Sequence, residues 1–147
     1  MKIISKMVAV SGFSLMALGI SMSSFASESP ETQASGRTYT TVTISNIPGG
    51  GEAKANLSTG NLKRSGDTQV TFLETKRTAL LGNSAELVNS NQDARSSKVG
   101  LSLNKVVNGT NKGAQINYYY YAKVYSNIIE PNNNNDVTLQ FSADKMN

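Results

Sequence analysis

Tyr119, Tyr121, Lys123 and Tyr125 recur at every second position in the stretch 114–126, near the end of a 147-residue chain. Along a β-strand, residues two apart share a face. Three phenols and one ammonium on one face form a flat amphipathic platform, able to stack on sugar rings or to anchor a protein contact. Ala114, Ile116, Tyr118, Tyr120, Ala122 and Val124 fall on the opposite face, toward a core. The same pattern is open to a second reading. Residues 75–97 or a partner sheet then cover the platform, and the tyrosines act as cross-strand packing.

Other chemistry is narrowly bounded. The chain contains no His and no Cys, so a Ser-His-Asp triad, a thiolate nucleophile and zinc sites with the usual ligands are excluded. Two S-x-x-K strings occur, Ser102 with Lys105 and Ser142 with Lys145. That spacing places a lysine beside a serine nucleophile on a helix. Both strings here fall in strand-like sequence, where residues three apart face opposite ways, so they read as chance matches. Glu52, Asp67, Glu74, Glu86, Asp93, Glu130, Asp136 and Asp144 are scattered, with no spacing that marks a glycosidase pair. The run Asn132, Asn133, Asn134, Asn135, Asp136 offers oxygens, but calcium loops need several carboxylates, so it reads as a polar loop capping a hairpin. Two N-glycosylation triplets begin at Asn56 and Asn108; they matter only on a eukaryotic secretory route. These residues together predict a protein that is not an enzyme and needs no cofactor or metal.

The elements that must position the platform begin after a leader. Lys2 and Lys6 precede an apolar run over residues 7–22, and Ser24-Phe25-Ala26 ends it with small residues. This is the pattern of a secretory signal peptide cleaved between Ala26 and Ser27. The run is interrupted by Ser11, Gly12, Ser14 and Gly19 and is shorter than the roughly 20 apolar residues of a membrane span. The expected partition is 1–26 signal peptide, 27–36 flexible polar lead, and 37–146 a single β-sandwich-like domain. Removing the leader's two lysines leaves 12 basic against 10 acidic residues, a balance of +2. So small an excess points to no nucleic-acid partner and no polybasic membrane clamp. Without Cys there is no disulfide and no lipidated N-terminal cysteine, and no apolar tail follows the domain. The expectation is a secreted, extracellular protein, free or loosely wall-associated, with no stable membrane insertion after cleavage.

Helical periodicity is nearly absent. Residues 38–46 are rich in β-branched types and end at Pro48-Gly49-Gly50-Gly51, a strong breaker. Ala53, Ala55 and Leu57 share a face in 52–57. Val70 and Phe72 share one in 68–74, with Leu73 opposite. Residues 75–97 read equally as strands or as a helical turn. Residues 98–107 alternate Val99, Leu101, Leu103 with Gly100, Ser102, Asn104, and 108–113 have the composition of a hairpin loop. Residues 114–126 form the tyrosine strand. Residues 136–143 place Val137, Leu139 and Phe141 inward. About six or seven short strands without crossover helices predict an all-β, single antiparallel β-sandwich-like domain.

The ending also resembles a known group. Tyr118-Tyr119-Tyr120-Tyr121-Ala122-Lys123, then Asn127-Ile128-Ile129-Glu130-Pro131, then Asp136-Val137-Thr138-Leu139 resemble the C-terminal segment of small secreted β-rich proteins of Gram-positive bacteria, some found beside bacteriocin-like or lytic peptides. The resemblance covers about a fifth of the mature chain and implies export and an all-β ending. The resulting expectation is a secreted bacterial binding protein at the cell surface, whose partner is an envelope glycopolymer or an extracellular protein. Tyr119, Tyr121, Lys123 and Tyr125 form its contact face. A bacteriocin-like antagonist or inhibitor, and a self-assembling extracellular subunit using exposed strand edges, remain open alternatives.

Overall fold

The computed structural model describes residues 36–147. The expected leader, its cleavage pair Ala26 and Ser27, and nearly all of the polar lead lie outside the described residues. Within them the chain forms nine strands and no helix.

Four strands make the first sheet: β1 (Thr40–Ile47), β4 (Gln69–Arg77), β7 (Val106–Thr110) and β9 (Asn135–Ser142), in the order β1-β9-β4-β7. The second sheet contains β2 (Ala53–Ala55), β5 (Asn83–Val88), β6 (Val99–Gly100) and β8 (Tyr119–Ser126), in the order β2-β8-β5-β6; β3 (Asn61–Leu62) also pairs with β8. Every strand pair is antiparallel. The two sheets pack face to face, so the protein is the all-β sandwich its alternating pattern predicts.

Period-2 alternation supplies the core. Val42 and Ile44 of β1 lie opposite Leu139 and Val137 of β9, and Phe72 of β4 lies opposite Phe141. Ala85 and Leu87 of β5 face inward beside Val124 and Ala122 of β8, with Tyr120 completing the layer. These side chains form one buried cluster. Each large aliphatic or aromatic member contributes about 1.5–3 kcal/mol by leaving water, which lets the fold stand without disulfides. The register of β1 shifts between Ile44 and Ile47, where Asn46 adopts φ 56°. Asn tolerates this left-handed conformation, and the bulge turns Ile47 inward although it stands three positions from Ile44.

The loops at one end are tied together through the glycine run. Gly50 N–H donates to the Glu130 carbonyl at 3.1 Å and Gly51 N–H to the Asn127 carbonyl at 3.0 Å. A methyl group on Gly49 would sit 2.2 Å from the Glu130 carbonyl oxygen. The Asn-rich run closes the same end. Asn133 Oδ1 accepts from Gly49 N–H, Asn135 Nδ2 donates to the Ile47 carbonyl, and Asp136 Oδ1 accepts from Asn46 N–H. Asn133 Oδ1 and Asp136 Oδ1 are engaged in capping, and no metal-binding group of acids occurs among the described residues.

Several expectations need correction. Asn108, Gly109 and Thr110 do not form a hairpin loop; they belong to β7 and pair with Thr71, Val70 and Gln69 of β4. The loop follows them, over residues 111–118. Residues 98–107 are not one strand. Only Val99 and Gly100 pair with β5, and the chain then turns at Ser102 to Lys105, with Asn104 at φ 57°. The apolar alternation there serves two sheets in succession, because Leu101 is buried and Leu103 has moved out to the surface. The tyrosine strand begins at Tyr119 rather than Ala114. Asn117 at φ 69° breaks the extended path, so Ile116 and Tyr118 are exposed instead of inward. Leu57 is likewise exposed just past β2. The ambiguous residues 75–97 resolve as the end of β4, the whole of β5 and a turn.

Candidate functional site

β8 is central to the second sheet, with β5 along one edge and β2 and β3 sharing the other. Tyr120, Ala122, Val124 and Ser126 face the core and are buried. Tyr119, Tyr121, Lys123 and Tyr125 therefore share the outer face, as strand parity requires. Glu86 lies opposite Lys123 and Ser84 opposite Tyr125 on β5, while Ala53 and Ala55 flank the same two residues on β2.

The four positions are not equivalent. Tyr125 is partly buried and its hydroxyl donates a short hydrogen bond to Glu86 Oε1. Lys98 Nζ stands 4.4 Å and Lys123 Nζ 5.5 Å from the Tyr125 ring centroid, close enough for cation–π attraction. Burial, the hydrogen bond to Glu86 and that carboxylate's charge push the phenol up to about 12. Tyr125 is thus a fixed, neutral part of the surface with its hydroxyl engaged. Tyr119 and Tyr121 differ, since no hydrogen bond within the described residues uses their hydroxyls. They pack beside the bend preceding β3, where a methyl on Gly60 would stand 3.1 Å from Tyr121 Cε1 and 3.3 Å from Tyr119 Cδ1. Asn56 Oδ1 holds that bend by accepting from Ser58 N–H and Thr59 N–H, both at 3.1 Å.

Where β8 begins, the face opens into a cleft of about 400 Å³, bordered by the loop after β5, the loop after β7 and the tyrosine run. Its walls include Asn89, Arg95, Lys112, Gln115, Tyr118 and Tyr119. Sequence parity had placed Tyr118 inward, yet Tyr118 and Tyr119 are both 60% exposed. Backbone hydrogen bonds staple the walls. Arg95 N–H donates to the Leu87 carbonyl at 2.7 Å, and Lys112 N–H donates to the Arg95 carbonyl at 2.8 Å. Asn111 closes the second loop, its Oδ1 accepting from Ala114 N–H at 2.7 Å and its Nδ2 donating to the Ala114 carbonyl at 3.1 Å. Gln115 N–H donates to the Tyr120 hydroxyl oxygen at 2.7 Å, which anchors this loop to the core.

Arg95, Lys112 and Gln115 were not legible as site residues. They are isolated polar residues in loops, and long-range pairing, with the bridge of Ser96 to Asn111 and the bond from Lys112 N–H to the Arg95 carbonyl, brings Arg95 and Lys112 together. The S-x-x-K strings make no site. Lys105 N–H donates to the Ser102 carbonyl within an exposed turn, and Ser142 Oγ accepts from Asp144 N–H at the buried end of β9. No protein-family model matches this chain, and neither a curated protein nor a solved structure matches it.

Proposed function

We propose that this is a secreted bacterial protein that works without catalysis, by binding at the cell surface, with an envelope glycopolymer as the favoured partner. The observation that carries this reading is the run of phenols on and beside the outer face of a central strand, Tyr118 and Tyr119 exposed and Tyr121 half-buried. Their rings offer π-faces and, at Tyr119 and Tyr121, hydroxyls without a hydrogen-bond partner among the described residues. Aromatic faces with free polar tips suit sugar rings, which present apolar C–H faces and hydroxyl edges. Lys123 completes the contact face, and Tyr125 braces it through Glu86.

The direct experiment is sedimentation of the purified protein with isolated cell walls. The wild-type chain is expected to pellet with them, and the double variant Tyr119→Ser, Tyr121→Ser to remain largely in solution while keeping its circular dichroism spectrum. Equal pelleting of both proteins disproves the role of these rings. Mass spectrometry of the N-terminus from fractionated cells tests export itself; cleavage after Ala26 is the expected result.

A self-assembling subunit is the second reading, favoured by one observation. β1 is eight residues long, contains no proline and, among the described residues, has a strand partner, β9, on one side only, and such edges invite pairing between copies. Light scattering that finds only monomer over a wide concentration range eliminates it.

A further inference from the structure

We propose that the cleft at the start of β8 is a binding site for an acidic sugar unit, a sugar or polyol bearing a phosphate or carboxylate. The inference rests on the cell-surface reading above for the source of that unit, an envelope polymer.

The chemistry of the walls carries it. Arg95 and Lys112 line the cleft and no Asp or Glu does. The carboxylate of Asp93, outside the lining, accepts from Asn89 Nδ2 at 2.9 Å and lies 3.7 Å from Arg95. Lys112 forms no ion pair among the described residues. Arg and Lys side chains donate only. A neutral sugar finds the oxygens of Ser90 and Gln115 as acceptors, whereas a phosphate or carboxylate also finds the ammonium of Lys112, the guanidinium of Arg95 beside Asp93, and the phenol hydroxyls. Charge-assisted contacts of this kind are the strong ones.

The aromatic part of the site is equally selective about which rings remain free. The hydroxyl of Tyr120 is engaged by Gln115 and that of Tyr125 by Glu86. Those of Tyr118 and Tyr119, which border the cleft, have no partner among the described residues. A sugar ring resting on them would put its charged substituent within reach of Lys112. The volume of about 400 Å³ falls in the range of small-molecule sites and admits a short segment of a polymer. Backbone staples between Arg95 and Lys112, and between Gln115 and Tyr120, hold the walls before any ligand arrives, which lowers the ordering cost of binding.

The test is calorimetric titration of the purified protein with three probes: a glycerol phosphate oligomer, an oligogalacturonate and a neutral chitooligosaccharide. At least one acidic probe is expected to bind about tenfold or more tightly than the neutral one, with affinity falling as salt rises. Whichever acidic probe binds identifies phosphate or carboxylate as the source. Lys112→Glu should weaken that binding by about tenfold or more, and Tyr118→Ala should weaken it as well. Lys105→Glu, an equal charge change on the exposed turn outside the cleft, should leave it unaltered. Equal affinity for neutral and acidic probes overturns the proposal, as does no binding of either acid at millimolar concentration, or wild-type affinity in Lys112→Glu. Wall pelleting that persists in Lys112→Glu and depends on Tyr119 and Tyr121 leaves the surface reading standing without this site. Acid binding in the cleft by a protein that ignores cell walls has the reverse meaning. Loss of wall binding after protease treatment of the walls assigns the partner to protein and overturns the sugar.

Discussion

Lys63 Nζ and Asp144 Oδ1 meet at 3.3 Å although 81 positions separate them, and each side chain is only 1% exposed. Lys63 also donates to the Ala143 carbonyl at 2.8 Å and the Asp67 carbonyl at 3.3 Å. Asp144 accepts from Arg64 N–H at 2.8 Å, Ser65 N–H at 3.0 Å and Ser65 Oγ at 2.7 Å. The pair fastens the turn between β3 and β4 to the end of β9. Removing one partner strands a buried charge, so Asp144→Ala or Lys63→Ala is expected to cost about 3–5 kcal/mol. Replacing both with apolar residues should cost less than the sum of the single changes. Urea denaturation of the three variants measures this, and single-variant losses under about 1 kcal/mol contradict a buried-pair role.

The same carboxylate sets an acid limit. Burial by itself raises the Asp144 pKa. The hydrogen bonds from Arg64 and Ser65 and the charge of Lys63 outweigh burial and hold it below the ordinary 3.8. Between the folded and unfolded values the unfolded chain binds more protons, so stability rises with pH across that window. The contribution is present above the unfolded value and is lost as pH falls through the folded one. Denaturation midpoints recorded from pH 6 down to pH 2 should therefore decline more steeply for the wild-type chain than for Asp144→Asn. Parallel declines count against it.

At the alkaline end Tyr125 has the matching role with opposite sign. Its folded pKa, about 12, lies above the ordinary 10.0. Stability from keeping this phenol neutral is present below pH 10 and is lost as pH rises through the folded value. Phenolate absorbance should show Tyr125 ionising late, well above the ordinary 10.0. Glu86→Gln should bring its transition down, since both the charge and part of the hydrogen bond are removed. An unchanged titration curve in that variant refutes the assignment.

Strand parity on β8 separates two kinds of tyrosine, and mutation should separate them as well. Tyr120 is buried in the core cluster, so Tyr120→Ala is expected to cost about 3–5 kcal/mol, in the manner of other large core aromatics. Tyr119→Ser should stay within about 0.5 kcal/mol, as surface changes usually do. Thermal unfolding compares them directly; similar losses from both place Tyr119 in the packing and remove it from the contact face.

Gly49 is a steric requirement of the loop end. Gly49→Ala would drive a methyl to 2.2 Å from the Glu130 carbonyl oxygen and 2.7 Å from that of Asn132. Backbone must move to relieve both contacts, at a cost of about 1–3 kcal/mol. Gly50→Ala meets no neighbour within 4 Å but carries φ 71°, so its smaller expected loss is pure backbone strain. Equal melting temperatures for Gly49→Ala and the wild type rule out this packing.

Much of the fold was written locally. Val42 and Ile44 in β1, Val70 and Phe72 in β4, and Val137, Leu139 and Phe141 in β9 recur at every second position, and all seven are buried. The two-residue strands β3 and β6 carry too few residues to show a period, and they exist because β8 and β5 offer them an edge. The stretch 108–113 misleads because Asn, Gly and Thr suit a turn in isolation, while pairing with β4 holds three of them extended.

The sequence by itself determined an all-β chain without thiol or imidazole chemistry, and the side of β8 on which Tyr119, Tyr121, Lys123 and Tyr125 stand, because alternation is a property of the extended backbone. Tertiary structure decided what those residues are free to do. It tied Tyr125 to Glu86, turned Tyr118 outward before the strand begins, and brought Arg95 and Lys112 to one cleft. Those outcomes depend on contacts between segments distant in the chain, and no local pattern of residue types encodes which distant partner a side chain will meet.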